Sequence, residues 1–272
     1  IVECTRMGIP VLPPDINESF ADFAVVKGKD GEGDKIRFGL YSIKNFGKEI
    51  ADAIISERKQ NGKFTSFEEF LNRVNHKNLN KKSLESLIKC GALDNLEDRA
   101  SMLANMEEAL AYSKSQTKVS AGQDSLFSLM EEKDTLPSLR LKDAPPLSQE
   151  EKLGWERELL GVFVSGHPLD PYKEKIEQRK LHIGRIKKYK EGITTPVAGI
   201  IEELRPIVTS KGDSMAFAKI ADMKDRIDVV IFPRTYAQHR ELLEETKPLL
   251  INGKVSHRNG ELSLIVEKIK LL

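Results

Sequence analysis

The chain has 272 residues, 39% hydrophobic and 31% charged, a length that predicts two domains and a composition that excludes global disorder and fibrous repeats. No uncharged apolar run approaches the roughly 18–20 residues that span a bilayer, and no signal-peptide pattern precedes the first charges, so a soluble protein with no membrane partner is expected. The net charge of +1 hides alternation: −3 over residues 1–35, +4 over 36–94, −6 over 95–172 and +6 over 173–190. Basic zones of this kind are the footprint of a polyanion binder, although a solvated lysine-rich face produces them more often. Two cysteines, Cys4 and Cys90, and five scattered histidines supply neither a disulfide framework nor a zinc site, which fits a reducing cytoplasm. A chain that opens on Ile1 rather than Met is expected to be a piece of something longer.

In chain order, residues 1–35 hold Pro10, Pro13, Pro14, Gly28, Gly31 and Gly33 and predict extended chain and turns with one hairpin. From Ile36 to about Tyr112 the pattern is helical: Ile50, Ala53 and Ile54 form one stripe, and Leu84, Leu87 and Ile88 another. Ser66 with Glu69 three residues on predicts a capping box before Phe67, Phe70, Leu71 and Val74, and Asn80 precedes a helix closed by Gly91. Residues 113–149 lose periodicity and predict a linker. A helix returns from Ser148 to Phe163 and a basic stretch runs from Lys173 to Lys190, so residues 150–193 are expected to be a helix and basic connector.

Beyond Pro196 the pattern alternates in five runs: Val197–Ile201, Met215–Ile220, Ile227–Phe232, Leu249–Val255 and Leu262–Ile269, with one helical stretch, Tyr236–Glu245, between the third and fourth. That order predicts a five-stranded OB-fold barrel over 194–272. The fold class is therefore multidomain α+β, a helical region followed by an all-β barrel.

Ile43-Lys44-Asn45-Phe46-Gly47 has the hydrophobic-x-x-hydrophobic-Gly form of a helix-hairpin-helix turn, and Lys48 opens the next helix, Lys48 to Asn61. A tight turn there lets successive N–H groups point at one phosphate oxygen, which holds DNA backbone without reading its sequence. A plain turn between packed helices fits the pentamer as well, and Asn45 stands where such hairpins often carry glycine. The pair Ser66–Val74 and Lys81–Cys90 completes a tandem unit, adding Lys81 and Lys82 as candidate phosphate contacts. Gln123-Asp124-Ser125-Leu126-Phe127 offers an amide and two apolar anchors in a polar stretch, enough to plug a partner's pocket, and a local hydrophobic cluster is the competing account. On the barrel, Phe217 and Phe232 are candidates to stack on bases, and Lys219, Arg234 and Arg258 to meet phosphates, against the alternative that the phenylalanines are core. No Asp-x-Asp pair, phosphate loop, His-x-His or Cys-x-x-Cys motif is present, so no metal, cofactor or catalytic residue is assigned.

Taken together, Arg6–Ile9, Pro13–Asn17, Ile36–Leu40, Ile43–Gly47, Phe67–Val74, Leu84–Asp94, Trp155–Gly161 and Ser165–Asp170 resemble the C-terminal part of the alpha subunit of bacterial DNA polymerase III, in order and along nearly the whole chain. The resemblance implies the end of a fingers domain at 1–35, a tandem helix-hairpin-helix region gripping duplex DNA at 36–112, a sliding-clamp peptide at Gln123–Phe127 within 113–149, and an OB domain near single-stranded template at 194–272. It also implies other replisome subunits as partners and a polymerase palm outside this chain. Two alternatives remain open: a hairpin-bearing nuclease or glycosylase, for which no catalyst is evident, and an RNA-binding OB module of tRNA anticodon type with hairpins that only pack.

Overall fold

The computed structural model describes residues 4, 7–28, 32–120, 139–258 and 261–272, with 116–120 and 258 described for their backbone alone. The chain divides into two compact units, Glu3–Ser165 and Gly166–Leu272.

The first unit opens on a small sheet of β1 (Val11–Leu12), β2 (Ala24–Val26) and β3 (Lys35–Arg37), in the order β1-β3-β2. β2 and β3 form the expected hairpin, whereas β1 pairs with β3 in parallel, and Ile36 belongs to a strand rather than to the helical region. Helices follow at Lys48–Asn61, Phe67–Arg73, Lys81–Lys89, Arg99–Ala104, Met106–Ser120 and Gln149–Leu160. Their stripes meet in one core containing Ile50, Ile54, Phe70, Leu71, Leu84, Leu87 and Ile88, all at most 1% exposed. Ile16 from the extended lead-in lies in the same core, and its N–H donates to Ala92 O at 2.8 Å.

Local chemistry sets most helix ends. Asn80 and Ser83 form a reciprocal capping box, as do Ser148 and Glu151, and Gly161 closes Gln149–Leu160 in the left-handed conformation. The Ser66 box is only half made: Ser66 Oγ accepts from Glu69 N at 3.1 Å, but the Glu69 carboxylate accepts from Thr65 N at 2.7 Å and from the Thr65 hydroxyl. Those two donors, then Arg73, hold the Glu69 carboxyl down at about 2. Met106–Ser120 continues into the aperiodic stretch, and beyond it Leu139 and Leu141 pack on the core while Asn105 is bonded to both N and O of Lys142.

The second unit is a closed barrel of β4 (Thr194–Val208), β5 (Ser214–Ala221), β6 (Arg226–Ile231), β7 (Leu249–Arg258) and β8 (Glu261–Leu271), in the order β4-β5-β6-β8-β7. β6 and β8 pair in parallel, and every other neighbouring pair is antiparallel. The helix Pro233–His239 stands between the third and fourth barrel strands, which is the OB arrangement. Inward residues of every strand, among them Val197, Ile201, Ile220, Val229, Leu249, Leu264 and Val266, fill the interior.

Candidate nucleic-acid interface

The first hairpin turn is built by its two hydrophobic positions. Ile43 and Phe46 are 2% and 6% exposed, so both point into the helical core, and the Phe46 side chain is an anchor rather than a contact. Between them Asn45 takes φ 62°, in the left-handed region that asparagine tolerates better than most side chains. Gly47 is extended (φ −76°, ψ 152°) and a Cβ built on it meets no heavy atom within 4 Å. It caps Lys48–Asn61 with no side chain, leaving the first N–H groups of a 14-residue helix without a side-chain acceptor. Lys44, Asn45, Gly47 and Lys48 are all exposed. Lys48 Nζ sits 5.1 Å from the ring centre of Tyr41, whose hydroxyl donates to Asp52 at 2.6 Å. That bond raises the Tyr41 pKa above its ordinary value.

The second hairpin joins Phe67–Arg73 to Lys81–Lys89, and Asn78 in its turn donates from Nδ2 to Glu49 Oε2 at 2.8 Å. This bond ties the second turn to the first turn of Lys48–Asn61. Lys81 and Lys82 are exposed at the tied end, and Lys81 pairs with Glu107 at 3.2 Å through two largely solvated side chains. Lys77, which the sequence pattern did not single out, is exposed on the same turn and has no carboxylate partner among the described residues.

A second copy of the hairpin pattern, Leu87-x-x-Cys90-Gly91, was also not singled out, and it faces inward. Gly91 has φ 81°, and an added Cβ would lie 2.1 Å from Arg99 Nη2. Arg99 donates from Nε and Nη2 to the two Asp94 oxygens at 2.7 Å each and from Nη1 to Lys89 O at 3.1 Å. Fully buried Glu156 lies 3.7 Å from Arg99 Nη2 and accepts from the N–H groups of Val164 and Ser165 at 2.9 and 3.0 Å. This turn is therefore sealed by protein, while the Gly47 turn is open.

On the barrel, strand register aligns two rows across four strands: Arg205, Phe217, Val230 and Ile265, then Glu203, Lys219, Asp228 and Ser263. Phe217 and Lys219 line a groove of about 300 Å³ over these rows, with Arg205, Leu262 and the carboxylates of Glu203, Asp228 and Glu261. Glu203 holds Arg205 at a hydrogen-bond contact and Lys219 at 3.9 Å. Phe232 (47% exposed) and exposed Arg234 lie past the end of β6, at the start of Pro233–His239, and do not line the groove. Arg258 ends β7 in register with Glu261. Gln123, Asp124, Ser125, Leu126 and Phe127 lie outside the described residues. Among the described residues no three His, Cys, Asp or Glu side chains are grouped to hold a metal ion, and no helix is long and apolar enough to cross a membrane.

Residues 8–102 match the family described as a helix-hairpin-helix motif, and residues 196–272 match the OB-fold nucleic acid binding domain. The chain thus joins these two kinds of module. Over 99% of its length it is 38% identical to the DNA polymerase III subunit alpha of Borreliella burgdorferi and 35% identical to that of Thermus aquaticus; over 93% it is 34% identical to that of Neisseria meningitidis serogroup A. It spans 23%, 21% and 21% of the length of these relatives, so the chain as a whole is similar to a C-terminal region of DNA polymerase III alpha subunits.

Proposed function

We propose that this chain is the DNA- and sliding-clamp-holding portion of a bacterial replicative DNA polymerase, with no nucleotidyl transfer of its own, and that its task is processivity. The observation that carries the reading is the open Gly47 turn: an uncapped helix N-terminus with exposed Lys44 and Lys48 beside it, tied by Asn78 to a second turn bearing Lys77, Lys81 and Lys82. Backbone N–H groups and flanking lysines of this kind suit a phosphate oxygen and read no base. Glu49 in the same first turn keeps its charge, because its partner Asn78 is a neutral amide, so Lys44 and Lys48 must outweigh it at a phosphate.

The barrel groove suits a single strand, with Phe217 stacking on a base, and Gln123–Phe127 suits a clamp pocket. Three modest contacts on one chain raise each other's effective concentration, so the assembly stays on DNA although each contact is weak. Titrating primer-template DNA with and without a sliding clamp tests this. The expected result is duplex binding insensitive to sequence and tightened by the clamp by more than tenfold. Tighter binding of tRNA than of primed duplex would instead establish an RNA-binding OB module.

A further inference from the structure

The barrel groove has the shape for a strand but not the charge. Three carboxylates, Glu203, Asp228 and Glu261, face two cations, Arg205 and Lys219, and Glu203 engages both. Its net charge is therefore the same sign as a phosphate backbone. The positive charge of this unit lies elsewhere, on the connector from Lys173 to Lys190, with eight basic and two acidic side chains.

That connector is built into the barrel. Leu181, Ile183 and Ile186 are 3%, 1% and 0% exposed, and Ala198 N at the start of β4 donates to Leu181 O at 2.9 Å. Several of its acidic neighbours help to hold it: Asp222 accepts from Ile183 N at 2.8 Å, Asp225 pairs with Lys187 at 2.6 Å, and Glu177 with His182 at 3.1 Å, while exposed Glu174 and Glu191, the latter bonded to Ser256 and His257 N at 3.4 Å, keep their charge at its edges. The cations left exposed are Arg179, Lys180, Lys188 and Lys190, with no carboxylate partner among the described residues. Arg185 lies among them, bonded to Lys180 O and the Tyr189 hydroxyl, so its charge too is unneutralised. Lys254 of β7 adds to this surface, its Cε 3.7 Å from where a Cβ on Gly192 would stand.

We propose that the second unit grips the phosphate backbone of single-stranded nucleic acid through this connector surface of Arg179, Lys180, Arg185, Lys188, Lys190 and Lys254, while the groove supplies base contact. The proposal rests on the nucleic-acid reading of the barrel. The two places are close enough to share one strand. The groove row Lys219–Asp228 is three residues from the Asp222–Asp225 turn that the connector clamps, on the order of 10 Å along the hairpin.

The test uses the full chain and a thymidine oligonucleotide, with affinity followed against salt and lysine accessibility followed by amine acetylation and mass spectrometry. Replacing Arg179, Lys188 and Lys190 together by Gln is expected to weaken binding at least tenfold at low salt and to reduce the slope of log K against log salt by about 2, each lost phosphate contact on a single strand contributing about 0.7. Lys188 and Lys190 should be protected from acetylation by the oligonucleotide. Replacing Lys211, Lys268 and Lys270 by Gln removes the same charge from elsewhere on the barrel and should change the slope by less than half as much. Equal effects of the two triple variants, or a bound oligonucleotide that leaves Lys188 and Lys190 unprotected, would overturn the connector site and leave the barrel reading standing. A chain that binds no oligonucleotide at all would overturn the barrel reading and the connector site with it.

Discussion

Asn45 holds the left-handed backbone of the first hairpin turn at φ 62°, and Gly47, two residues on, holds an ordinary extended one at φ −76°. The turn therefore does not depend on glycine for its conformation. With no atom near its missing Cβ, Gly47 is not required by internal packing either, and it leaves a bare approach to the helix N-terminus. Gly47→Val should lower stability by no more than about 1 kcal/mol, the usual cost of a poor N-cap, and weaken duplex binding alike for all sequences. Asn45→Ala should cost roughly 1–2 kcal/mol through left-handed strain, while Asn45→Gly stays near neutral. Urea melts with duplex titrations check both; undiminished duplex affinity in a folded Gly47→Val chain would make the turn structural only.

Arg99 is 5% exposed and faces Asp94 and fully buried Glu156, so removing it strands a carboxylate in the core. Arg99→Ala should destabilise the first unit by about 3–5 kcal/mol. Arg99→Lys should restore little of that, because a lysine cannot donate the two parallel bonds Asp94 receives. A urea melt of Arg99→Lys matching the parent would show that charge alone suffices.

Cys90 is fully buried beside this network, its thiol donating to Leu87 O at 3.4 Å, and burial pushes its pKa up from about 9 to about 12. Between those values the unfolded chain gives up a proton that the folded chain keeps. Stability contributed by the neutral thiol is thus complete below about 9 and is lost as pH rises toward 12. Cys90→Ala should flatten that part of the alkaline stability profile, and in the native chain Cys90 should resist alkylation at pH 9 until the unit unfolds. Rapid alkylation of native Cys90 would refute this.

Regular elements were legible because their burial is periodic. Lys48–Asn61 ends where Gly47 and Gly62 flank it, and all five alternating runs became strands of one closed barrel, with a helix between the third and fourth as expected. What stayed hidden was set by partners distant in sequence. β1 is two residues long and takes its pairing from residues 36–37, and Glu69 chose Thr65 over Ser66 because two donors there outweigh one. Charges on helices read as solvent-facing, so nothing local marked Arg99 and Glu156 as core. The acidity of the groove arises from Glu203, Asp228 and Glu261, which only strand register brings together around Phe217 and Lys219.

Under the proposed function, binding of a clamp through Gln123–Phe127 would distinguish a replicase segment from a generic DNA-binding module. The peptide lies in a polar stretch carrying Ser, Asp, Lys and Pro, a composition from which a short motif can be presented to a partner. Leu126 and Phe127 would supply the burial, on the order of 1.5–3 kcal/mol each, and Gln123 would set register through its amide. Replacing Leu126 and Phe127 together by Ala should abolish binding to the cognate clamp while duplex affinity and the melting temperature stay within error of the parent. A large fall in melting temperature would assign these side chains to a core. Clamp binding that survives the double substitution would place the contact elsewhere on the chain.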